Sequence, residues 1–250
     1  MDFTDKIIVI TGAGQGIGEA YAKASAQRGM KVCVAELNEE QGQRVANEIN
    51  AEGGTAIFVK TDVSDESSTK AMAAAADEAF GGVGIDYLIN NAAIYGSMKI
   101  DSYLKVDMNY LNKFYSVNIN GALLATRAVV PFMKKRGGGA IINQSSTAAW
   151  MNIGFYGVAK LAINGMTCSL AHELGPRKIR INAIAPGPTD TQATRDQAGD
   201  YVKEMVKSMP LARVGTVDDM VGPVFFLLSD DAKWITGHIL NVDGGQYMRV

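Results

Sequence analysis

A doubly wound parallel α/β sheet is the fold this sequence predicts, and three observations predict it. Short apolar runs alternate with longer stretches of helical periodicity along all 250 residues, the pattern of strands joined by crossover helices. The short runs are apolar nearly throughout rather than at every second residue, which marks strands buried on both faces. A glycine cluster, Gly12, Gly14, Gly16 and Gly18, falls directly between the first run and the first helical stretch, where an open sheet of this kind binds ligands.

The elements follow in order. The first strand is expected over 6–10. Residues 16–28 form a helix with Ile17, Ala20, Tyr21 and Ala24 in one stripe, and Gly29 stops it. The second strand covers 32–35. Asn38 is a good N-cap for a helix through Glu52, which Gly53-Gly54 closes. Further strands are expected at 56–59, 87–90, 140–143, 179–184 and 238–242, with helices near 65–80, 109–135, 155–174 and 217–229. Right-handed crossovers place those helices on both faces. Gly137-Gly138-Gly139 reads as a turn, and no linker, repeat or low-complexity segment interrupts the chain. One domain over 1–250 is expected.

Composition narrows the function classes. Hydrophobic residues make up 47% and charged residues 20%, enough for a sizeable core and unlike a disordered chain. Lys plus Arg is 24 against 26 for Asp plus Glu, a net charge of −2, which argues against nucleic acid as the main partner. No apolar run approaches the roughly 20 residues of a membrane span. Residues 1–5 carry two acids and no basic stretch, so no secretory leader is expected and a cytoplasmic location is. Cys33 and Cys168 sit in apolar runs and are expected as buried thiols. No metal-binding spacing links them to His172 or His238, so no metal is expected.

The glycine turn reads Thr11-Gly12-Ala13-Gly14-Gln15-Gly16-Ile17-Gly18. Its glycines let backbone approach a pyrophosphate, and the helix that follows offers free N–H donors and a positive dipole end. Ile17 stands where the third glycine of GxGxxG would be; the pattern is TGxxxGxG, through Gly12, Gly16 and Gly18. Glu36 follows the second strand about 20 residues on, where an acid accepts from a ribose 2′-OH and repels a 2′-phosphate. Neither Gln15 nor Leu37 is basic, so NAD is favoured over NADP. Asp62 and Val63 follow the third strand and offer an acceptor and a backbone donor to adenine; taken alone, Asp62 is an ordinary strand-end acid. Asn90-Asn91-Ala92-Ala93 ends the fourth strand on the same side.

Tyr156 and Lys160 stand four apart at the start of an expected helix, on one face. Lowering a tyrosine pKa from about 10 to about 7 takes about 4 kcal/mol. A cation at about 4 Å with an effective dielectric near 20 supplies about that much, so Lys160 would make Tyr156 a usable general acid/base. Upstream, Ser145 and Ser146 end a strand, where a hydroxyl can orient a substrate oxygen. Asn118 is polar within an expected apolar helix. It is either a satisfied core asparagine or a holder of water leading to Lys160.

Together these motifs resemble the short-chain dehydrogenase/reductase family over essentially the whole chain. The matching pieces are TGAGQGIG, Asp62-Val63, NNAA, the Asn118 segment, the serine pair, YGVAK, Pro186-Gly187-Pro188-Thr189-Asp190-Thr191 and Asn241-Val242-Asp243-Gly244-Gly245. The resemblance implies a Rossmann-like domain with a seven-stranded parallel sheet. It implies a tetrad of Asn118, Ser146, Tyr156 and Lys160, and a dinucleotide against Gly12, Gln15, Gly16, Ile17, Gly18, Glu36, Asp62, Val63, Ala92, Pro186 and Gly187. It puts Asn90 under the adenosine side and Thr189 and Thr191 at the nicotinamide carboxamide. The chain departs from the family in NNAA for NNAG, in Thr189 for a branched aliphatic residue, and in the loop before Tyr156. Ser146 lies only ten residues ahead of Tyr156, closer than is usual, and Ser145 is the fallback.

The implied reaction is reversible hydride transfer between NAD and a secondary alcohol or ketone. Tyr95, Trp150, Met151, Ile153 and Met205 are the candidate substrate pocket, with a lid near 192–213. These apolar residues point to an uncharged cyclic or aromatic small molecule. The rival readings are an NADH-dependent carbonyl reductase of 3-oxoacyl type and a non-catalytic dinucleotide-binding regulator. The 155–174 helix is apolar nearly all round, which calls for cover on both sides; the resemblance implies a homotetramer.

Overall fold

A computed structural model describes residues 2–99 and 101–248, the side chains of 198–200 excepted; residues 1, 100, 249 and 250 of the expected domain lie outside it. Seven strands, β1 (Ile7–Thr11), β2 (Lys31–Glu36), β3 (Thr55–Lys60), β4 (Tyr87–Asn90), β5 (Gly139–Gln144), β6 (Ile179–Pro186) and β7 (Ile239–Val242), form one sheet. They pair in the order β3-β2-β1-β4-β5-β6-β7, and every pairing is parallel. The order reverses between β1 and β4. Their carboxyl ends therefore open the crevice in which doubly wound sheets take ligands.

Every strand stands within two residues of its expected bounds, because each apolar run has a core on both sides. In β1, Ile8 and Ile10 face a core with Tyr21, Val45 and Phe225. Ile7 and Val9 face the opposite core, with Met72, Val129 and Leu170. The period of two along a strand thus feeds two cores. The helices on the first side are α1 (Gly16–Ala26), α2 (Glu39–Ala51) and, late in the chain, α8 (Val217–Leu228); on the second they are α3 (Glu66–Ala79), α5 (Gly121–Arg136) and α6 (Gly154–Leu174). Asn38 caps α2 as expected, its Oδ1 accepting from Gln41 N at 3.1 Å.

The helix expected over 109–135 is not continuous. It divides into α4 (Met108–Tyr115), a π-helical turn (Ser116–Asn120) and α5. The turn brings Gly121 against Val63, whose Cγ2 would lie 2.7 Å from a Cβ there. Hydrophobic periodicity does not report the extra residue such a turn inserts. The segment expected as a lid holds α7 (Gln192–Met205) and a short 3₁₀ turn (Val206–Ser208). Cys33 is buried as expected, whereas Cys168 is exposed, its thiol donating to Gly237 O at 3.4 Å.

No helix among the described residues is long and apolar enough to cross a membrane, and none of their His, Cys, Asp and Glu groups could hold a metal ion.

Candidate functional site

The carboxyl ends of β1 to β6 border a single cavity of about 820 Å³ that runs from the glycine turn to α7. At one end the β1–α1 turn is built so that only glycine fits. Gly12 and Gly16 have φ of +64° and +58°, a region open to glycine at little cost. A Cβ on Gly18 would sit 2.1 Å from the Gly12 carbonyl oxygen, and one on Gly12 would sit 2.7 Å from Ala92 Cα. Gly12, Gln15, Gly16, Ile17 and Ala92 line the cavity, while Gly18 lies beneath and packs α1 against the turn. That is a cradle cut to backbone dimensions at a helix N-terminus, and it fits a dinucleotide pyrophosphate.

Glu36, at the end of β2, also lines the cavity. Its Oε2 accepts from Gly14 N at 3.1 Å, and its Oε1 from Leu37 N and Asn38 N at 2.8 and 3.0 Å. The carboxylate is thereby pinned across the glycine turn. Asp62 and Val63 line the neighbouring wall, with Asp62 Oδ1 held by the Ser64 amide and hydroxyl at 2.9 and 2.6 Å. Pro186, Gly187, Thr189 and Thr191 border the far side. A Cβ on Gly187 would meet Asp243 Cα at 2.8 Å, so the two glycine-bearing motifs at the ends of β6 and β7 fit only against each other. Thr191 caps α7, accepting from Thr194 N at 3.1 Å.

Tyr156 and Lys160 rise from the first turns of α6 into the same cavity. Ser146 stands opposite, close enough for its hydroxyl to lower the pKa of the Tyr156 phenol, while its Oγ accepts from Ala148 N at 3.2 Å. That contact leaves the serine proton free to point at the phenol. Ser145 is engaged elsewhere: its hydroxyl donates to Asn164 Oδ1 at 2.6 Å. Of the two serines, Ser146 is the one beside Tyr156.

The electrostatics differ from the sequence expectation. Burial pushes the Tyr156 phenol well above its ordinary value, the nearby Tyr95 adds to the rise, and the Ser146 hydroxyl opposes it. Burial lowers Lys160 to about 8. The ammonium donates to Gln144 O at 2.8 Å and lies 5.7 Å from the centre of the Tyr156 ring. A single cation at that distance does not outweigh the desolvation of the phenol. The expected lowering of Tyr156 is absent in the protein alone.

Besides Gly18, three expected site residues do not line the cavity. Asn118 is buried in the π-helical turn, where its Oδ1 accepts from Ile94 N at 2.7 Å and its Nδ2 donates to Ile94 O at 3.1 Å. Its side chain clamps the loop after β4, the core-asparagine alternative. Asn90 turns its amide inward to Ala122 O, Thr126 and Asn143 at 3.2, 3.1 and 2.9 Å. Trp150 stacks on Tyr247 with centroids 5.4 Å apart. Tyr95, Met151, Ile153 and Met205 do line it. Tyr95 packs 5.2 Å from Tyr156, and the Thr194 side chain of α7 lies near its hydroxyl.

The sequence reading missed several lining residues. Lys113 on α4 is one, an exposed cation on the border of the site. Gln197 on α7 is another; its Nε2 donates to Gly96 O and Met98 O at 2.8 and 3.1 Å and ties α7 to the loop after β4. Gln246 arrives from beyond β7. None carries a local motif; only the fold brings them to the cavity.

Comparison with known proteins agrees with this geometry. The family model described as enoyl-(acyl carrier protein) reductase matches residues 12–246. An uncharacterized oxidoreductase of Mycobacterium tuberculosis is 59% identical, over 99% of both chains. L-rhamnose 1-dehydrogenase (NAD(P)(+)) of Azotobacter vinelandii is 38% identical over 98% of both. The 2,5-dichloro-2,5-cyclohexadiene-1,4-diol dehydrogenase of Sphingobium indicum is 36% identical over 96% of this chain and 95% of its own. Among solved structures, a 7α-hydroxysteroid dehydrogenase complexed with NADH and 7-oxo glycochenodeoxycholic acid superposes with a TM-score of 0.91 at 32% identity, covering 99% of this chain and 98% of its own. Together with the glycine cradle, the parallel sheet and the Tyr156–Lys160 pair, these matches place the chain in the short-chain dehydrogenase/reductase family of oxidoreductases.

Proposed function

We propose that the protein is an NAD-preferring alcohol dehydrogenase that reversibly oxidises a secondary hydroxyl on an uncharged, mainly apolar ring-bearing small molecule. The observation that carries this reading is that Ser146, Tyr156 and Lys160 border the same cavity as the glycine cradle. The glycine turn, Glu36, Asp62–Val63 and the 186–191 segment would hold the dinucleotide, whose nicotinamide accepts the hydride when bound. Ser146 donates to the substrate oxygen and aims it at Tyr156. Tyr156 takes the hydroxyl proton, and Lys160 supports the ionised phenol. Asn118 acts at one remove, by fixing the backbone of Ile94.

Glu36 supports NAD over NADP because its charge is fixed rather than free to swing aside. Relatives that act on ring alcohols support a cyclic substrate, as do the apolar side chains of Met151, Ile153 and Met205 along the cavity. The 192–213 segment serves as the lid. In the reverse direction, carbonyl reduction with NADH uses the same groups, a reading favoured by the reductase description of the matching family model. A homotetramer in the cytoplasm completes the proposal; Val158 and Leu161, 47% and 51% exposed on α6, are apolar surface for a partner copy to cover.

Tyr156→Phe is the test. The variant should bind NADH like the parent and lose at least about a thousandfold in turnover of cyclic secondary alcohols, within what a positioned acid/base contributes. Turnover retained within tenfold would remove Tyr156 from the chemistry.

A further inference from the structure

We infer that Gln246 determines specificity at the substrate end of the cavity: its side-chain amide reads a second, hydrogen-bond-accepting oxygen on the ring substrate. The inference rests on the dehydrogenase reading above and narrows its substrate class, from ring alcohols in general to rings bearing an additional hydroxyl or carbonyl oxygen.

The turn that carries Gln246 is built to hold it. Gly244 and Gly245, with φ of +63° and +85°, reverse the chain after β7. Asp243 then accepts from the backbone on either side of Gln246, from Gly245 N at 3.0 Å and Tyr247 N at 2.9 Å. The Gln246 backbone N–H itself donates to Asp243 O at 3.1 Å. Asn241 Nδ2 donates to Tyr247 O at 2.8 Å, and Trp150 stacks on the Tyr247 ring. A side chain on a backbone held this closely is presented in one direction.

The side chain is then half spent. Thr147 Oγ1 meets Gln246 Oε1 at 2.8 Å, while among the described residues Gln246 Nε2 meets only the thioether sulfur of Met205, at 3.0 Å. Turned the other way, the amide would set its carbonyl oxygen against a sulfur with no proton to give, so the contacts favour this orientation. A thioether is a weak acceptor, and an amide NH₂ has two donors. Donor capacity is thus left nearly unused beside Met205, in a cavity that Met151 and Val202 also border. Two other polar side chains of the cavity are committed: the Gln197 side-chain nitrogen to Gly96 O and Met98 O, and the Thr194 hydroxyl to Thr191. A substrate oxygen that displaces the sulfur gains a proper acceptor contact, whereas a plain hydrocarbon ring leaves the amide resting on sulfur.

The test uses Tyr156→Phe loaded with NADH, so that no turnover intrudes, titrated calorimetrically with cyclohexanone and 4-hydroxycyclohexanone. One neutral hydrogen bond in such a site is worth up to about tenfold. The hydroxyketone should bind about tenfold tighter, and adding Gln246→Leu should bring the ratio of the two dissociation constants to about one. Met205→Leu, which removes the sulfur but keeps the amide, should hold or raise the ratio and serves if the leucine variant at 246 does not fold. A ratio near one before either change, a ratio that survives Gln246→Leu, or one lost in Met205→Leu overturns the role of Gln246. Equal binding of both ketones leaves the dehydrogenase reading standing. Failure of both to bind, with NADH bound, removes the cyclic-substrate reading and this inference with it.

Discussion

Replacing Lys160 by methionine should make the protein more stable at neutral pH while removing the proposed chemistry. The lysine is 4% exposed, and its ammonium meets Gln144 O and the Tyr156 ring without a carboxylate among its described contacts. Burial brings its pKa from 10.5 to about 8. That difference corresponds to a stability cost of about 3 kcal/mol at pH 7. Removing the donor to Gln144 O gives back about 1 kcal/mol. The variant should therefore gain about 2 kcal/mol, or about 4–8 °C in Tm at this chain length. The pH dependence separates this gain from improved packing. The unfolded lysine keeps its proton up to about pH 10.5, while the folded one releases it near 8. Between those values unfolding takes up a proton, so rising pH disfavours unfolding and the parent gains on the variant. About 2 kcal/mol of the gap should close between pH 7 and 9.5. Urea denaturation of both proteins at the two pH values, at equal salt, measures it. A variant less stable at pH 7, or a gap indifferent to pH, would refute the argument that Lys160 is held charged against its burial.

Other consequences are simpler to read. Gly18→Ala puts a methyl 2.1 Å from the Gly12 carbonyl oxygen; overpacking of about 1–3 kcal/mol should lower Tm by about 3–10 °C and weaken NADH binding, and an unchanged Tm would show that the turn yields freely. Glu36→Gln keeps the shape but removes the charge, and should raise kcat/KM for NADP relative to NAD by about tenfold or more; an unchanged ratio would take Glu36 out of cofactor choice. Leu161→Glu on the exposed face of α6 should shift sedimentation toward lighter species at micromolar concentration, whereas a parent that sediments as a monomer would dispose of the tetramer.

Much of the site was legible because its motifs are local. The glycine turn, Glu36 and the Tyr156–Lys160 pair each lie within one strand–helix junction or one helical turn, and backbone geometry dictates where such neighbours point. Asn118 and Trp150 were read by position within a motif or loop, yet their side chains answer to partners far away in sequence: Asn118 to Ile94, Trp150 to Tyr247. The choice between Ser145 and Ser146 had the same character, since Asn164, from the next helix, takes the first and leaves the second to Tyr156.

The sequence alone determined the layered architecture, since runs apolar on both faces can be buried only between two helical layers, and strand–helix alternation leaves few ways to arrange them. It also determined where backbone would come close to a ligand, since closely spaced glycines at a strand–helix junction have few other uses. Tertiary structure decided the protonation balance and the far end of the cavity. A pKa depends on the water excluded by every neighbouring element, so Lys160 drifts down and Tyr156 up for reasons no spacing reveals. Gln246 meets Thr147 only because β7 lies beside β6 and the 144–150 segment folds over both, a proximity across about a hundred residues that the linear chain does not record.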